Sequence, residues 1–331
     1  MCVRVTSQSP FQVQSSKHAP LLATRAQGYR QVLTSLRQHR RIRVWGYRMA
    51  IGVFDSGVGG LSIHRALVDR IPEADFIYLG DQKHAPYGER SGEEIVELTR
   101  QGCETLFDAG ASIVVLACNT ASAVALRRLQ STWLADYRKS IGRPVNILGI
   151  IVPTIEAATG LPWEHEAERR GAKIENVDVL GIFCTTATAR SRVYEIEIDK
   201  RRQDLAVFTE PCIGLAGMIE AGESEEKLRA VVESRVQALK TRIGRHPDRA
   251  ILGCTHYEII GDLFKSALPK NTPLIHQPSS VSNAMEGYVR RHPEYYIGQS
   301  AKHRFLTTGE PGPQSKIVEA FWGAPISFEK A

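Results

Sequence analysis

The stretch Ser112-Ile-Val-Val-Leu-Ala-Cys118-Asn119-Thr120 is an apolar run that ends in a thiol and two polar residues. A second stretch, Arg249-Ala-Ile-Leu-Gly-Cys254-Thr255-His256-Tyr257, places another thiol in the same setting. Each predicts a buried strand that delivers polar groups to its carboxyl end, where the sites of α/β sheets lie. Two such thiols predict one acid–base group on each face of a substrate, and therefore stereochemical inversion at carbon.

The order strand, polar turn, strand, cysteine occurs twice along the chain. The strand Ala50-Ile-Gly-Val-Phe leads into the turn at residues 55–60, and the strand Val179-Leu-Gly-Ile-Phe leads into a polar turn at 184–191. Strands that alternate with helices are typical of parallel sheets. The sequence therefore predicts an α/β fold with two pseudo-symmetric parallel-sheet domains and the active site between them.

This pattern also predicts the domain boundaries. We expect residues 1–48 to be an extension, residues 49–147 plus 285–331 to form the first domain, and residues 148–284 to form the second. Residues 160–178 are polar and predict a surface insertion within the second domain. In the first domain, Ser91 and Glu94 have the spacing of a capping box and predict a helix start.

The basic charge of the chain lies at its amino-terminal end. Residues 1–48 hold eight arginines, one lysine and no acidic residue, so this arm carries +9. Because the whole chain is +6, residues 49–331 carry −3. We interpret the arm as a disordered extension, with translation from Met49 as one explanation of it. A transit peptide and a nucleic-acid-binding tail are the alternatives that its composition leaves open.

Two compositional features exclude several other classes of protein. No run of 18 apolar residues occurs, so we expect no membrane span. The six cysteines include no CxxC pair, and no export signal precedes them, so we expect neither a zinc site nor a disulfide framework. The sequence predicts a cytoplasmic protein with free thiols and no bound metal.

The turn Asp55-Ser-Gly-Val-Gly-Gly60 follows an apolar strand and precedes a helix. Glycines in that position let backbone N–H groups approach an anion. The spacing differs from the dinucleotide fingerprint G-x-G-x-x-G, so nucleotide binding is disfavoured. We expect the turn to hold a carboxylate-sized anion, with Asp55 and Ser56 facing it; a purely structural turn is the alternative.

The lysines bear on whether a cofactor assists the removal of a proton from an α-carbon. Pyridoxal phosphate normally stabilises such a carbanion through a Schiff-base lysine. Lys83, Lys173 and Lys316 show no supporting motif. We therefore predict no cofactor, and a two-base site in which one cysteine is a thiolate and the other a thiol.

Taken together, the motifs resemble those of the glutamate racemases, cofactor-independent members of the aspartate/glutamate racemase superfamily. The resemblance extends from about residue 50 to the end of the chain. The four strong matches are Phe54–Ser62, Ala85–Gly88, Ala117–Ser122 and Gly253–Tyr257. Residues 188–191 and 219–222 match more weakly.

The resemblance implies a role for each matching position. Cys118 resembles the base that acts on D-glutamate, with Asp55 assisting it, and Cys254 resembles the base that acts on L-glutamate, with His256 assisting it. Glu220 resembles a further acidic residue of the site. The implied substrate contacts are Asp55, Ser56, Pro86, Tyr87, Gly88, Cys118, Asn119, Thr120, Thr188, Cys254, Thr255 and His256.

The resemblance also implies a biological role and partners. The implied enzyme is an isomerase that supplies D-glutamate for peptidoglycan, and thus for cell-wall biogenesis and cell shape. We expect glutamate as the small-molecule substrate, a homodimer, and neither membrane nor nucleic acid as a partner. The alternatives are a racemase for aspartate or another amino acid, and an added nucleic-acid-binding or regulatory role of the arm.

The chain departs from the family pattern at two places near the site. Glu258 stands where family members commonly have proline, and Ile275-His276-Gln277-Pro278-Ser279 replaces a more usual Asp-Ser pattern. An acid in the first turn of a helix is electrostatically favourable. We therefore expect Glu258 to preserve the fold and to add negative charge near the site.

Overall fold

The computed structural model describes residues 49–162, 177–295, 297–311 and 316–331. The predicted basic arm and most of the predicted insertion, residues 163–176, lie outside these ranges. The described residues belong to one compact unit that contains two parallel sheets. In this part of the chain no helix combines the length and the apolar character needed to cross a membrane.

The first sheet has six parallel strands in the order β10-β9-β2-β1-β3-β4. Its strands are β1 (Ala50–Asp55), β2 (Phe76–Gly80), β3 (Ala111–Leu116), β4 (Asn146–Gly149), β9 (His303–Thr307) and β10 (Glu329–Lys330). The central strands β1, β2 and β3 are buried along their whole length, which explains their apolar sequences.

The second sheet has four parallel strands in the order β6-β5-β7-β8. They are β5 (Asp178–Cys184), β6 (Leu205–Pro211), β7 (Arg249–Gly253) and β8 (Leu274–Ile275). Both sheets thus contain four strands in the spatial order second, first, third, fourth. This repeated order confirms the predicted α/β fold with two pseudo-symmetric halves.

Helices connect successive strands. They are α1 (Leu61–Arg70), α2 (Gly92–Asp108), α3 (Asn119–Val124), α4 (Leu126–Thr132), α5 (Leu134–Ile141), α6 (Ile151–Thr159), α7 (Thr186–Ser191), α8 (Val193–Asp199), α9 (Leu215–Glu220), α10 (Glu225–Ile243), α11 (Gly261–Ala267), α12 (Gln277–Arg291) and α13 (Lys316–Trp322). Short 3₁₀ helices occur at Gln82–His84, Tyr87–Glu89, Thr255–Ile260 and Pro293–Tyr295.

The helix starts near the site follow from their capping residues. The predicted capping box is present at α2, where Ser91 Oγ accepts from the Glu94 N–H and the Glu94 carboxylate accepts from the Ser91 N–H. Helix α3 begins at Asn119 because Cys118 is its N-cap residue. After Cys254 the chain forms the 3₁₀ helix Thr255–Ile260, and the regular helix α11 begins at Gly261.

The boundaries predicted for the two domains stay a prediction. Strand β4 continues in the first sheet to Gly149, two residues beyond the expected boundary at 147. Helix α12 spans the second expected boundary at 284 and connects the two halves. The chain then returns to the first sheet to form β9 and β10.

His64 of α1 is fully buried among aromatic rings. Its imidazole stacks on Tyr78 with ring centroids 5.5 Å apart and also lies against Trp322 at 4.9 Å. Neither ring nitrogen has a hydrogen-bond partner. Burial, assisted by the nearby His303, lowers the pKa of His64 to about 3. The folded protein therefore resists protonation of this side chain.

We predict that His64 makes the fold sensitive to acid. Its pKa is lower in the folded than in the unfolded chain. The folded state therefore keeps its full stability above pH ~6.5. As the pH falls from there towards 3, the unfolded chain binds a proton at His64 that the folded chain does not, and the free energy of unfolding decreases. The loss should approach ~1.4 kcal/mol of unfolding free energy per pH unit. In urea unfolding at pH 7 and pH 5, His64→Phe should lose less stability on acidification than the unaltered protein. His292→Gln, a substitution of a half-buried histidine, should behave as the unaltered protein, and equal losses in all three would contradict the prediction.

Candidate active site

Both predicted thiols line one cavity of about 100 Å³ between the two halves. It lies at the carboxyl ends of the parallel strands, as the sequence predicts for an α/β site. The cavity is small beside those that hold drug-sized ligands, which suits a substrate of amino-acid size. The predicted residues that line it are Ser56, Pro86, Tyr87, Gly88, Cys118, Asn119, Thr120, Glu220, Cys254, Thr255 and His256.

Cys118 is 5% exposed and lies where β3 meets α3. Its Sγ accepts from the Ala121 N–H at 3.5 Å and lies 3.3 Å from Ser56 Oγ. Burial and the charge of Asp55 raise the pKa of Cys118 to about 12, although the hydrogen bonds from Ser56 and Ala121 oppose the rise. At neutral pH Cys118 is therefore a neutral thiol that can supply a proton.

Asp55 ends β1 and is fully buried, but it is not among the residues that line the cavity. One carboxylate oxygen accepts from the Gly57 N–H at 2.9 Å. Burial raises the pKa of Asp55, against the opposing effect of the positive charge of His256. Asp55 therefore lies close enough for its charge to raise the pKa of Cys118, but it has no direct access to the cavity.

The glycines of the turn after Asp55 lie against side chains of the second half, and the expected binding of an anion by this turn stays a prediction. A Cβ at Gly59 would lie 2.5 Å from Thr255 Oγ1 and 2.7 Å from His256 Nδ1, and a Cβ at Gly57 would lie 2.7 Å from Glu220 Oε1. These glycines do not line the cavity. The turn thus leaves room for side chains of the second half, and of its residues only Ser56 faces the cavity.

Cys254, His256 and Glu220 form a connected chain of groups. Cys254 Sγ lies 3.9 Å from His256 Nδ1, and His256 Nε2 lies 2.7 Å from Glu220 Oε1. Burial alone would lower the pKa of His256, but its hydrogen bonds to Cys254 and Glu220 outweigh burial and raise this pKa to about 10. His256 is therefore a cation at neutral pH, and its ring lies next to the Cys254 sulfur.

Three threonine hydroxyls join the two halves beside the cavity. Thr120 Oγ1 lies 3.0 Å from Thr185 Oγ1, which in turn lies 3.0 Å from Thr188 Oγ1. Thr188, the predicted substrate contact, is 1% exposed and is not among the lining residues. Its place at the cavity is taken by Thr185, the N-cap of α7.

Several lining residues were missed by sequence reasoning. They are Ala85, Glu89, Thr185, Thr186, Cys212, Ile213, Gly214, Ala216, Gly217 and Tyr257. Thr185 and Thr186 follow β5 as Ser56 follows β1, so the pseudo-repeat could have identified them. Cys212 and Gly214 follow β6, and no cluster of reactive side chains in the sequence marks that strand end.

Glu258 follows Tyr257 of the cavity lining but does not itself line the cavity. Its carboxylate accepts from the Gln277 N–H at 3.1 Å and lies 3.0 Å from His276 Nδ1. The two departures from the family pattern therefore contact each other. Glu258 accepts a free N–H at the start of α12, where a negative charge is electrostatically favourable.

Comparison with known proteins gives close relatives over most of the chain. The chain is 71% identical to the glutamate racemase of Caulobacter sp. strain K31 over 283 residues, which cover 86% of this chain and 100% of that protein. It is 69% identical to the glutamate racemase of Phenylobacterium zucineum over the same shares of both chains. No protein-family model matches the chain.

Solved structures agree with these relatives. The glutamate racemase of Francisella tularensis, in complex with D-glutamate, aligns with a TM-score of 0.68 at 26% identity, covering 86% of this chain and 96% of that one. A glutamate racemase isoform of Bacillus anthracis aligns with a TM-score of 0.69 at 25% identity, covering 86% and 98%.

We predict that the raised pKa of His256 depends on the carboxylate of Glu220. Glu220→Gln should lower this pKa by about 1–3 units, because an opposite charge at hydrogen-bond distance favours the protonated imidazole. The imidazole resonances of His256, followed by NMR through a pH titration, would measure the change. Glu223→Gln is the matched control, since Glu223 pairs with Lys227 and should leave the titration unaltered. A pKa of His256 near 6.5 in the unaltered protein would contradict the prediction.

Proposed function

The chain belongs to the glutamate racemase family, and we propose that Cys118 and Cys254 move the α-proton of its substrate as two opposed acid–base groups. The enzyme is an isomerase that interconverts L-glutamate and D-glutamate. One observation carries the proposal for the thiols. Both lie at the carboxyl ends of equivalent strands, β3 and β7, and line the same cavity.

The two thiols have different partners, which supports a state in which only one of the two cysteines carries a proton. Cys118 has a pKa raised to about 12 by burial and the charge of Asp55, so it holds its proton. Cys254 Sγ lies 3.9 Å from the ring of the cationic His256, and the family resemblance assigns this cysteine the role of the base that acts on L-glutamate. We therefore propose Cys254 as the base and Cys118 as the acid of one direction of the reaction. By the family resemblance, this is the state that acts on L-glutamate.

The proposed reaction balances one proton removed against one proton added. The Cys254 thiolate takes the α-proton, and the electron pair of the broken C–H bond remains on the substrate as a carbanion. Cys118 gives its proton to the opposite face of the α-carbon, which inverts the centre. The product leaves Cys118 as thiolate and Cys254 as thiol, the state that performs the reverse reaction.

The substrate carboxylates would bind to the polar groups around the thiols. Asn119, Thr120, Thr185 and Thr255 line the cavity, together with Ser56, and offer amide and hydroxyl donors. Donors fixed by the fold stabilise the charge that develops next to the α-carbon when the proton leaves. The chain's own residues would in this way provide the stabilisation that a cofactor otherwise supplies.

We further propose the setting in which the reaction occurs. The family resemblance implies that the D-glutamate is used for peptidoglycan and that the enzyme is cytoplasmic. The five described cysteines are all free thiols, which supports a reducing compartment. The resemblance also implies a homodimer. Light scattering should then give twice the chain mass of 36.7 kDa, and a monomer mass would contradict this part of the proposal.

The two-thiol reaction predicts separable half-reactions in heavy water. Cys118→Ser and Cys254→Ser should each lower racemisation by about 10²–10⁴-fold, because one acid–base group is lost. The thiol that remains can still remove and return a proton on its own face. Cys118→Ser should therefore incorporate deuterium into L-glutamate without inverting it, and Cys254→Ser should do so only with D-glutamate. Mass spectrometry and chiral chromatography would measure exchange and inversion on the same samples.

The control for these variants is Cys103→Ser. Cys103 is a buried thiol of α2 that does not line the cavity, so its variant should racemise as the unaltered enzyme does. Near-normal racemisation in either cysteine variant of the site would overturn the two-thiol assignment. Exchange of both enantiomers by a single variant would show instead that one thiol reaches both faces.

A further inference from the structure

Gln277, the first residue of α12, pairs with Asn119 of the cavity through two reciprocal hydrogen bonds. Asn119 Nδ2 donates to Gln277 Oε1 at 2.8 Å, and Gln277 Nε2 donates to Asn119 Oδ1 at 2.9 Å. Gln277 is fully buried and Asn119 is 2% exposed. Asn119 follows Cys118 directly, so this pair attaches the Cys118 end of β3 to the helix that connects the two halves.

The surrounding residues fix which way both amides point. Thr154 Oγ1 donates its only proton to Ile150 O, so it can only accept from Gln277, and this places Gln277 Nε2 at 3.1 Å from it. Gln277 Oε1 must then face the Nδ2 of Asn119. Tyr194 Oη donates to Asn119 Oδ1 at 3.0 Å and supports the same orientation.

This arrangement determines what Asn119 can offer to a ligand. Its Oδ1 already accepts from both Gln277 and Tyr194, so both lone pairs of this carbonyl oxygen are used. Its Nδ2 carries two hydrogens, and only one donates to Gln277. Among the described residues the second hydrogen has no acceptor. Since Asn119 lines the cavity, its side chain is held as a donor, which is the polarity that a carboxylate needs.

We propose that Gln277 is a positioning residue, which holds the Asn119 amide so that it donates to a carboxylate of the substrate. Gln277 is not among the lining residues and acts only through Asn119. The inference rests on the proposed binding of glutamate between the two thiols. It assigns the Gln277 position, one of the departures from the family pattern, to substrate recognition.

Glu258 completes the support of Gln277 from the second half. Its carboxylate accepts from the backbone N–H of Gln277 and pairs with His276. Glu258 belongs to the 3₁₀ turn that begins at Thr255, directly after Cys254. The backbone of Gln277 is thus held by the turn next to one thiol, while its side chain holds the residue next to the other.

A carboxyl group at position 277 tests this role, because its protonation changes its hydrogen bonding without a change in shape. In Gln277→Glu the protonated acid can still donate to Asn119 Oδ1, whereas the ionised acid cannot and favours rotation of the Asn119 amide. Burial raises the pKa of such a carboxyl above its usual ~4.3, into the range of the assay. The other titratable groups facing Gln277 are Tyr194, Glu258 and His276, and all three are unchanged in the variant.

We expect the KM of Gln277→Glu for glutamate to rise about tenfold or more from low to high pH, beyond any change in the unaltered enzyme. The turnover number should change less, because a carboxylate is bound in the ground state and in the transition state alike. Gln277→Met, which cannot bond to Asn119, should show a raised KM at every pH. Steady-state racemisation between pH 5.5 and 9, with thermal melting at each pH, would measure both effects.

The matched control is the same substitution at Gln130, whose Nε2 donates to Ile147 O outside the cavity. Gln130→Glu should follow the unaltered KM profile. If folded Gln277→Glu also follows that profile, or if Gln277→Met keeps the unaltered KM, the positioning role is overturned. These outcomes compare KM values within active enzymes. They are therefore distinct from a failure of the two-thiol reaction, which appears as racemisation that survives Cys118→Ser or Cys254→Ser.

Discussion

The site depends on close contact between a turn of the first half and the acid–base groups of the second. At Gly59 the backbone approaches Thr255 and His256 so closely that a single methyl group would collide with both. Gly57 makes the same approach to Glu220. Asp55 and His256 are both buried beside this contact, and burial strengthens the electrostatic interaction between them. The two thiols share one cavity because the halves meet in this way.

The repeated strand order places the two cysteines symmetrically, and the residues next to each cysteine differ. Strands β3 and β7 deliver their cysteines to equivalent points, so that neither thiol is distinguished by the scaffold alone. A carboxylate ends β1, whereas the equivalent strand β5 ends in Cys184. Cys118 therefore lies near a negative group and Cys254 beside a cation. A reaction that inverts a centre needs opposed groups that differ by one proton, and the proposed two-thiol mechanism relies on this difference between the partners of the two cysteines.

The sequence predicted the scaffold well because buried strands are recognisable in it as runs of apolar residues. The apolar runs before Cys118 and Cys254 could only be buried strands, and Ser91 with Glu94 marked a helix start. Contacts between side chains of the two halves produce no comparable pattern in the sequence. Thr185 and Thr188 are three residues apart at the start of α7, and only the three-dimensional packing decides that Thr185 lines the cavity. The glycines of the first turn likewise suggested an anion, because a glycine required by a ligand and one required by a neighbouring side chain look alike in a sequence.

The contact of Glu258 with His276 and Gln277 has a consequence for chimeric enzymes. Residues 258 and 276–277 are far apart in the sequence, yet their side chains and backbone satisfy one another. A splice point between them would join Glu258 to a helix start built for a different neighbour, or place His276 and Gln277 opposite a proline. Hybrids of this chain with more distant relatives should therefore inherit both segments from the same parent. In this enzyme the residues on both sides of this contact should be exchanged together and not one at a time.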